Sequence, residues 1–263
     1  MTRLSQIHTY PLKSAGGFDS VRADIGARGI VGDRRWMVVD PDGTFLTGRT
    51  LPGMVRLQAR VVGDELVLTL GDARCVVPRP TPSGPRMTVT VWDDAVAALV
   101  ATDGGWLAAR LGVACRLVYM DDTLRRPVDL DYAISDDITS FADGFPVLLI
   151  SEASLADLNS RLREPVTMAH FRPNLVASGC AAFAEDDWQQ IRIGTAEFAL
   201  VKPCSRCIFT TVDPQTGART PDGEPLATLA GYRRSAGGVM FGQNLLVTRP
   251  GHVGVSDAIT VLR

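Results

Sequence analysis

The chain has 263 residues, 46% of them hydrophobic and 21% charged, an ordinary make-up for folded protein and enough to bury a sizeable core. A formal net charge of −2 provides no global field for nucleic acid or an anionic membrane, so any basic feature must be local. No run of about eighteen apolar residues occurs, which excludes a membrane-spanning helix.

The opening Met1-Thr2-Arg3-Leu4-Ser5-Gln6-Ile7-His8 has neither the apolar stretch nor the cleavage pattern of a secretory signal. Five cysteines in a chain this long do not form a disulfide framework pattern. The expectation is therefore a cytoplasmic protein with free thiols.

The first hundred residues read as short strands joined by tight turns. Asp40-Pro41-Asp42-Gly43 lies between Trp36-Met37-Val38-Val39 and Phe45-Leu46, a hairpin signal. Val55 to Val62, Leu66 to Leu70 and Cys75-Val76-Val77, with Gly-Asp turns between, predict a three-strand meander. The proline-rich stretch from Pro78 to Pro85 closes it, and Met87 to Trp92 predicts a further strand. Trp106 to Gly112 reads as a short helix with a glycine at its C-terminal end and Thr102 or Asp103 as its N-cap. Cys115 to Met120 follows as a strand, and Asp121 to Asp143 reads as a charged, irregular crossing of the surface.

Ser151 to Leu162 is the clearest helix: Leu155, Leu158 and Leu162 share a face, Ser151 suits the N-cap, and Glu152 suits the positive end of the dipole. Strands are then predicted at Asn174–Ser178, Gln190–Ile193, Glu197–Val201, Arg206–Val212, Asn244–Val247 and Ile259–Leu262. The fold class is mainly β with some α (α+β), with a barrel-like second half.

Cys204-Ser205-Arg206-Cys207 is the first chemistry-bearing motif, and spacing alone leaves three readings open. A redox dithiol normally opens a helix, whereas strand-like Ile208 to Val212 follows here. Half a zinc site lacks its other half, since no second Cys-x-x-Cys exists and His8, His170 and His252 are scattered. Buried structural cysteines are the third. Lys202 and Arg206 beside the pair would lower a thiol pKa and favour a metal-binding or reactive thiolate.

Lys13-Ser14, Arg34 and Arg172 each abut a proline, glycine or aromatic residue at a predicted strand edge. The commonest fate of such residues is a solvated surface charge. Gathered together they would instead hold a phosphate or a polyanionic cofactor, with Arg supplying forks and Lys a point charge.

Tyr10-Pro-Leu-Lys-Ser, Gly32-Asp-Arg-Arg-Trp, Ser151-Glu-Ala-Ser-Leu-Ala-Asp-Leu-Asn-Ser-Arg-Leu, Phe171-Arg-Pro-Asn, Cys204-Ser-Arg-Cys and Phe241-Gly-Gln-Asn occur in that order. The combination resembles the MOSC-domain family, most of all the mitochondrial amidoxime-reducing components and their bacterial relatives. The resemblance runs essentially end to end. It implies an N-terminal MOSC β-barrel domain over residues 1–117 and a MOSC domain over 118–263. It also implies a molybdenum–molybdopterin cofactor whose metal is held by Cys207.

By the same resemblance Lys13, Ser14, Arg34, Arg172, Asn174, Ser205 and Arg206 hold the pterin and its phosphate, and Asp143, Gly144, Phe145 and Asn244 line the cofactor. Asp143 matches a family aspartate near the metal and joins Cys207 as a catalytic candidate. Gly144 and Phe145 stand where mammalian members carry small hydroxyl residues. Cys204 is assigned a packing role. Chemically the assignment is coherent: an anionic metal–sulfur head and a phosphate call for dispersed cations, and molybdenum favours soft sulfur.

The implied activity is reduction of N-hydroxylated compounds (N-hydroxylamines, amidoximes or N-hydroxylated bases) to amines. No cysteine follows Cys207 to build a ferredoxin module, and no Gly-x-Gly-x-x-Gly follows a strand. Electrons are therefore expected from a separate ferredoxin, flavodoxin or cytochrome-type donor, with neither nucleic acid nor membrane as partner. The rival reading is a non-catalytic cofactor-binding or sulfur-carrier module like the C-terminal part of the molybdenum-cofactor sulfurases. Their pyridoxal-phosphate lyase domain is not expected within these 263 residues.

Overall fold

The computed structural model describes residues 1–101 and 104–263. Its largest sheet has nine strands, and it draws on both halves of the sequence. The Arg3–Thr9 strand pairs antiparallel with Leu175–Ser178, setting Leu4 opposite Ala177 and Ile7 opposite Leu175. Leu175–Ser178 runs parallel to Val147–Ser151, and the Glu152–Asn159 helix makes the crossover between them. Val147–Ser151 in turn pairs with the long Gly238–Arg249 strand, which pairs with Ala196–Arg206. Leu4, Ile7, Val147, Leu149, Phe198 and Leu245 pack into one apolar cluster on this sheet.

A second exchange ties the termini together: the strand Arg22–Gly26 pairs with Gly251–Gly254 near the chain's end. The two halves are thus interleaved rather than strung in series.

The four-stranded sheet runs Trp36–Val39, Arg116–Tyr119, Asp94–Val100, Arg86–Val91. Every residue of Trp36–Val39 is buried. Strand alternation divides them, Trp36 and Val38 into one cluster and Met37 and Val39 into another. Asp40–Gly43 makes the expected turn, closed by Asp40 N–H to Thr44 O at 2.8 Å, although only a single bridge, Val39 to Phe45, continues the pairing. The meander is present as Gln58–Val62, Glu65–Leu70 and Ala73–Pro78; a 3-10 turn at Pro52–Arg56 replaces the start predicted at Val55. Asp94–Val100, absent from the sequence reading, is alanine-rich and declares itself by pairing with Arg86–Val91 on one side and Arg116–Tyr119 on the other.

The first helix spans Gly105–Leu111 and ends on Gly112 at φ 72°, a left-handed position that glycine fills without strain. The predicted caps Thr102 and Asp103 lie outside the described residues. In the Glu152–Asn159 helix the Ser151 Oγ accepts the Ser154 amide at 3.1 Å, as expected of the N-cap. That helix stops before Leu162 because the Asn159 side chain captures the main chain of Val166 at both N–H and C=O, each at 2.9 Å.

Two expectations are corrected. Arg206–Val212 is not a strand: the long strand ends at Arg206 and a 3-10 turn occupies Ile208–Thr211. The Thr210 hydroxyl bonds back to Cys207 O at 2.9 Å and the Thr211 hydroxyl to Ile208 O at 2.8 Å, local bonds that compete with a ladder. Nor does Asp121–Asp143 simply cross the surface, since Leu124, Arg126, Val128, Ile138 and Phe141 are all buried.

Candidate active site

A cleft of about 300 Å³ opens where the interleaved halves meet. All the residues singled out from the sequence line it: Lys13 and Ser14, Arg34, the Asp143-Gly144-Phe145 loop, Arg172 and Asn174, Ser205 to Cys207, and Asn244. They arrive from different elements. Lys13 and Arg34 flank the turn region before Trp36–Val39; Arg172 precedes Leu175–Ser178; Ser205 and Arg206 end one long strand, and Asn244 lies on its neighbour, opposite Lys202.

Backbone strain concentrates here. Ser14, Arg34, Trp92 and Arg172 hold φ of 65°, 46°, 56° and 55°. Left-handed backbone at non-glycine residues costs on the order of 1–3 kcal/mol each and persists where surrounding contacts enforce it. Around Arg34 those contacts are explicit. Its amide donates to Tyr10 O at 2.7 Å and its carbonyl accepts from Phe141 at 2.9 Å. Its guanidinium reaches Asp33 Oδ2 at 2.6 Å, Asn174 Oδ1 at 3.0 Å and Arg172 O at 3.2 Å. Tyr10 lies between two guanidiniums, Arg34 at 4.4 Å and Arg172 at 4.3 Å from its ring centre.

Burial pushes the Tyr10 phenol up to about 12 against the pull of both arginines, so the ring stays neutral. Burial also lowers Arg172, to about 10, which leaves it a cation at neutral pH.

Lys13 is 5% exposed and donates to Phe141 O at 2.8 Å and Asp143 Oδ1 at 2.5 Å. Burial lowers the Lys13 ammonium, and the Asp143 carboxylate partly restores it. Surrounding protein raises Asp143, but Lys13, by charge and by hydrogen bond, together with Arg49 and Arg34, holds it well below the usual carboxylate range. Asp143 is therefore an acceptor at neutral pH, not an acid. Arg49 stacks on Trp92 at 4.3 Å and stands 3.9 Å from Asp143 Oδ2.

Arg206 turns its guanidinium onto Cys204 Sγ at 3.2 Å and Phe171 O at 2.8 Å. The expected depression of the thiols by Arg206 and Lys202 does not hold for Cys204: burial raises it and outweighs Arg206. Lys202 points instead at the rings of Tyr132, 4.1 Å away, and Phe145, 5.9 Å away. Cys207 sits at the head of the 3-10 turn, and its carbonyl is occupied by Thr210. Ser205 lies under Gly238, where an added Cβ would come within 2.6 Å of its Oγ.

Among the described residues no three His, Cys, Asp or Glu side chains form a metal-holding group. Cys207 is a single soft donor in the cleft, short of a metal site made by protein side chains alone. Two buried guanidinium nitrogens of the cleft residues, Arg172 Nη2 and Arg206 Nε, have no partner among the described residues. A buried donor left unpaired calls for an acceptor, and the cleft's surplus of cations sets its charge as negative. The residues present thus fit a phosphate-bearing, thiolate-ligated group.

Sequence reasoning missed Arg49, Trp92, His170 and Phe209. Arg49 had the same signal as the other cations, a charge beside a turn glycine. His170 immediately precedes Phe171-Arg-Pro-Asn, and burial lowers its pKa. A larger cavity, about 640 Å³, lies against the far side of Arg172, His170 and Phe209 and contains no cysteine.

Residues 1–114 match the MOSC N-terminal beta barrel domain and residues 136–260 the MOSC domain. Mitochondrial amidoxime-reducing component 1 of Xenopus laevis is 35% identical over 281 residues, covering 97% of this chain and 81% of that protein. Its Homo sapiens counterpart is 35% identical over 283 residues, covering 98% and 82%. The molybdenum cofactor sulfurase of Oryza sativa is 31% identical over 268 residues, covering 91% of this chain and 32% of that protein.

Proposed function

The chain belongs to the MOSC family, and on that premise we propose that it is a molybdenum-cofactor-dependent oxidoreductase that reduces N-hydroxylated compounds to amines. The observation that carries the reading is a cleft with two thiols, Cys204 and Cys207, of which Cys204 is engaged by Arg206, ringed by cations, two of which keep buried nitrogens without partners among the described residues. The relatives matched over nearly the whole chain are named for amidoxime reduction, which supports amidoximes as substrates; N-hydroxylamines and N-hydroxylated bases, which share the N–O bond to be broken, complete the proposed class.

In this reading the Cys207 thiolate ligates the metal of a molybdenum–molybdopterin cofactor. Arg172, Arg206, Arg34 and Lys13 neutralise the pterin's phosphate and metal–sulfur head, with Ser14, Asn174, Ser205 and Asn244 as neutral hydrogen-bonding partners and Gly144 and Phe145 as cleft wall. When bound, the cofactor supplies two-electron redox chemistry suited to removing an oxygen atom.

The overall reaction converts R–NH–OH, two electrons and two protons into R–NH₂ and water, breaking the N–O bond. Asp143 Oδ2 faces Arg49 while Oδ1 is held by Lys13, so the carboxylate stays ionised and accepts a hydrogen bond that orients an N–H or O–H of the substrate. Lys13 keeps that carboxylate in place from beneath. The electrons come from a separate donor protein of ferredoxin, flavodoxin or cytochrome type.

The test is anaerobic turnover of an amidoxime and an N-hydroxylamine by molybdenum-loaded protein with an artificial reductant. Amine formed in proportion to loaded protein supports the reading. No amine from any N-hydroxylated substrate, with molybdenum bound, ends it.

A further inference from the structure

Arg126 lies in the stretch that read as irregular, yet it is 3% exposed. Its guanidinium is fully committed. Nε donates to Asp94 Oδ2 at 2.7 Å, Nη1 to Ser140 O at 2.9 Å and Ala142 O at 2.5 Å, and Nη2 to Asp143 O at 3.0 Å. Lys13 Nζ takes the remaining carbonyl of the run, Phe141 O, at 2.8 Å. Four consecutive carbonyls are therefore drawn inward onto two buried cations.

A trans peptide is planar and its N–H points opposite to its C=O. The amides of Asp143 and Gly144 are thus turned away from Arg126, and both residues line the cleft. Neither amide donates to another described residue. Successive main-chain donors of this kind form an anion-receiving edge. Gly144 brings no side-chain donor of its own, and the Phe145 ring is engaged with Tyr132 at 5.8 Å.

We propose that Arg126 is the positioning residue of the cleft: from behind, it fixes the Ser140–Asp143 run so that the Asp143 and Gly144 amides face the bound anionic group and the Asp143 carboxylate stays on Lys13. This inference rests on the reading of the cleft as a pterin-cofactor site. Arg126 touches neither substrate nor cofactor. Lysine cannot replace it, because one ammonium cannot span an Asp94 carboxylate and three carbonyls that a planar fork reaches together. Asp94 anchors the fork from the Asp94–Val100 strand, so the site's geometry depends on the N-terminal sheet.

The test compares Arg126→Lys, Arg126→Met and Asp94→Asn with the wild type, all purified holo. Pterin per folded chain is read by fluorescence after oxidative release, and its loss is timed under dialysis. Outer residues that orient a site typically change affinity or activity about 10–100-fold. Pterin loss at least about tenfold faster is expected for Arg126→Lys and Arg126→Met, with a smaller acceleration for Asp94→Asn. Hydrogen exchange at residues 140–145 is expected to quicken in the same order.

If Arg126→Met does not fold, Arg126→Lys and Asp94→Asn decide alone. Variants that melt earlier but hold pterin as long as the wild type, with unchanged exchange in the loop, overturn the proposal. A wild type that binds no pterin overturns the cofactor reading itself, a distinct failure.

Discussion

Asp33 is 2% exposed, and its two oxygens do different work. Oδ1 accepts the Tyr10 amide at 2.8 Å and Oδ2 holds the Arg34 guanidinium at 2.6 Å, itself 12% exposed. Asp33→Ala removes both, leaving a buried N–H without a partner and a largely buried cation without its counter-ion, held only by Asn174 Oδ1 and Arg172 O. Breaking a buried ion pair from one side costs about 3–5 kcal/mol, and an orphaned buried amide about 1–3 kcal/mol, overlapping terms because both act through the same loop. A loss of roughly 4 kcal/mol is expected for Asp33→Ala.

Asp33→Asn retains an acceptor for Tyr10 and loses only the charge, so about 1.5–3 kcal/mol is expected. Urea unfolding followed by tryptophan fluorescence reads both, since Trp36 is buried three residues away. If Asp33→Ala costs under about 1 kcal/mol, or matches Asp33→Asn, the pairing does not hold the loop as described.

Three further outcomes follow from the same geometry. In Gly48→Ala the new Cβ would lie 2.1 Å from the Phe209 ring, forcing that partly exposed ring to swing into the cleft. The melting temperature should move little, while kcat/KM falls about tenfold; a large melting change with normal kinetics would contradict this. In Gly43→Ala a side chain at φ 92° would meet Thr88 O at 2.4 Å, so destabilisation beyond the roughly 1–2 kcal/mol of a left-handed residue is expected by urea titration, and a neutral effect would deny the turn.

Acid should act on the Lys13–Asp143 pair with a defined sign. Asp143 is depressed below its ordinary 3.8, so its stabilisation is complete above that value and is lost as pH falls through the folded-state value. Lys13 is lowered in the fold, so its charge costs stability until pH rises through that lowered value towards its ordinary 10.5. The stability difference between wild type and Asp143→Asn should therefore stay flat from about pH 5 to 7 and shrink below about pH 4. A difference that titrates between about pH 5 and 7 would assign the pair wrongly.

The legible parts of this protein were those whose signals are local. Asp40 to Gly43, Ser151 with Glu152, and Gly112 each specify a turn or cap from adjacent residues, and each is present. The cations of the cleft were legible as a set only because the motifs recur in order; singly, Lys13 or Arg172 reads as surface charge. What escaped was non-local. Nothing near Arg3–Thr9 announces its pairing with Leu175–Ser178, and nothing near Arg126 announces that Asp94 and the Ser140–Asp143 carbonyls will surround it.

Ile208 to Val212 looks like a strand by composition, but Thr210 and Thr211 turn their hydroxyls back on the main chain. The Cys204 thiol shows a related limit. Neighbouring cations argued for a lowered pKa, whereas burial, which sequence does not display, decides the direction.

The proposed function stands on Cys207 as the protein's ligand to molybdenum. It is tested most directly by metal content, measured by mass spectrometry on protein made in a host that synthesises the cofactor, with Cys207→Ala and Cys204→Ala alongside. About one molybdenum per chain is expected in the wild type, near none in Cys207→Ala, and wild-type content in Cys204→Ala. Molybdenum retained by folded Cys207→Ala, or absent from the folded wild type with cofactor in supply, would contradict it.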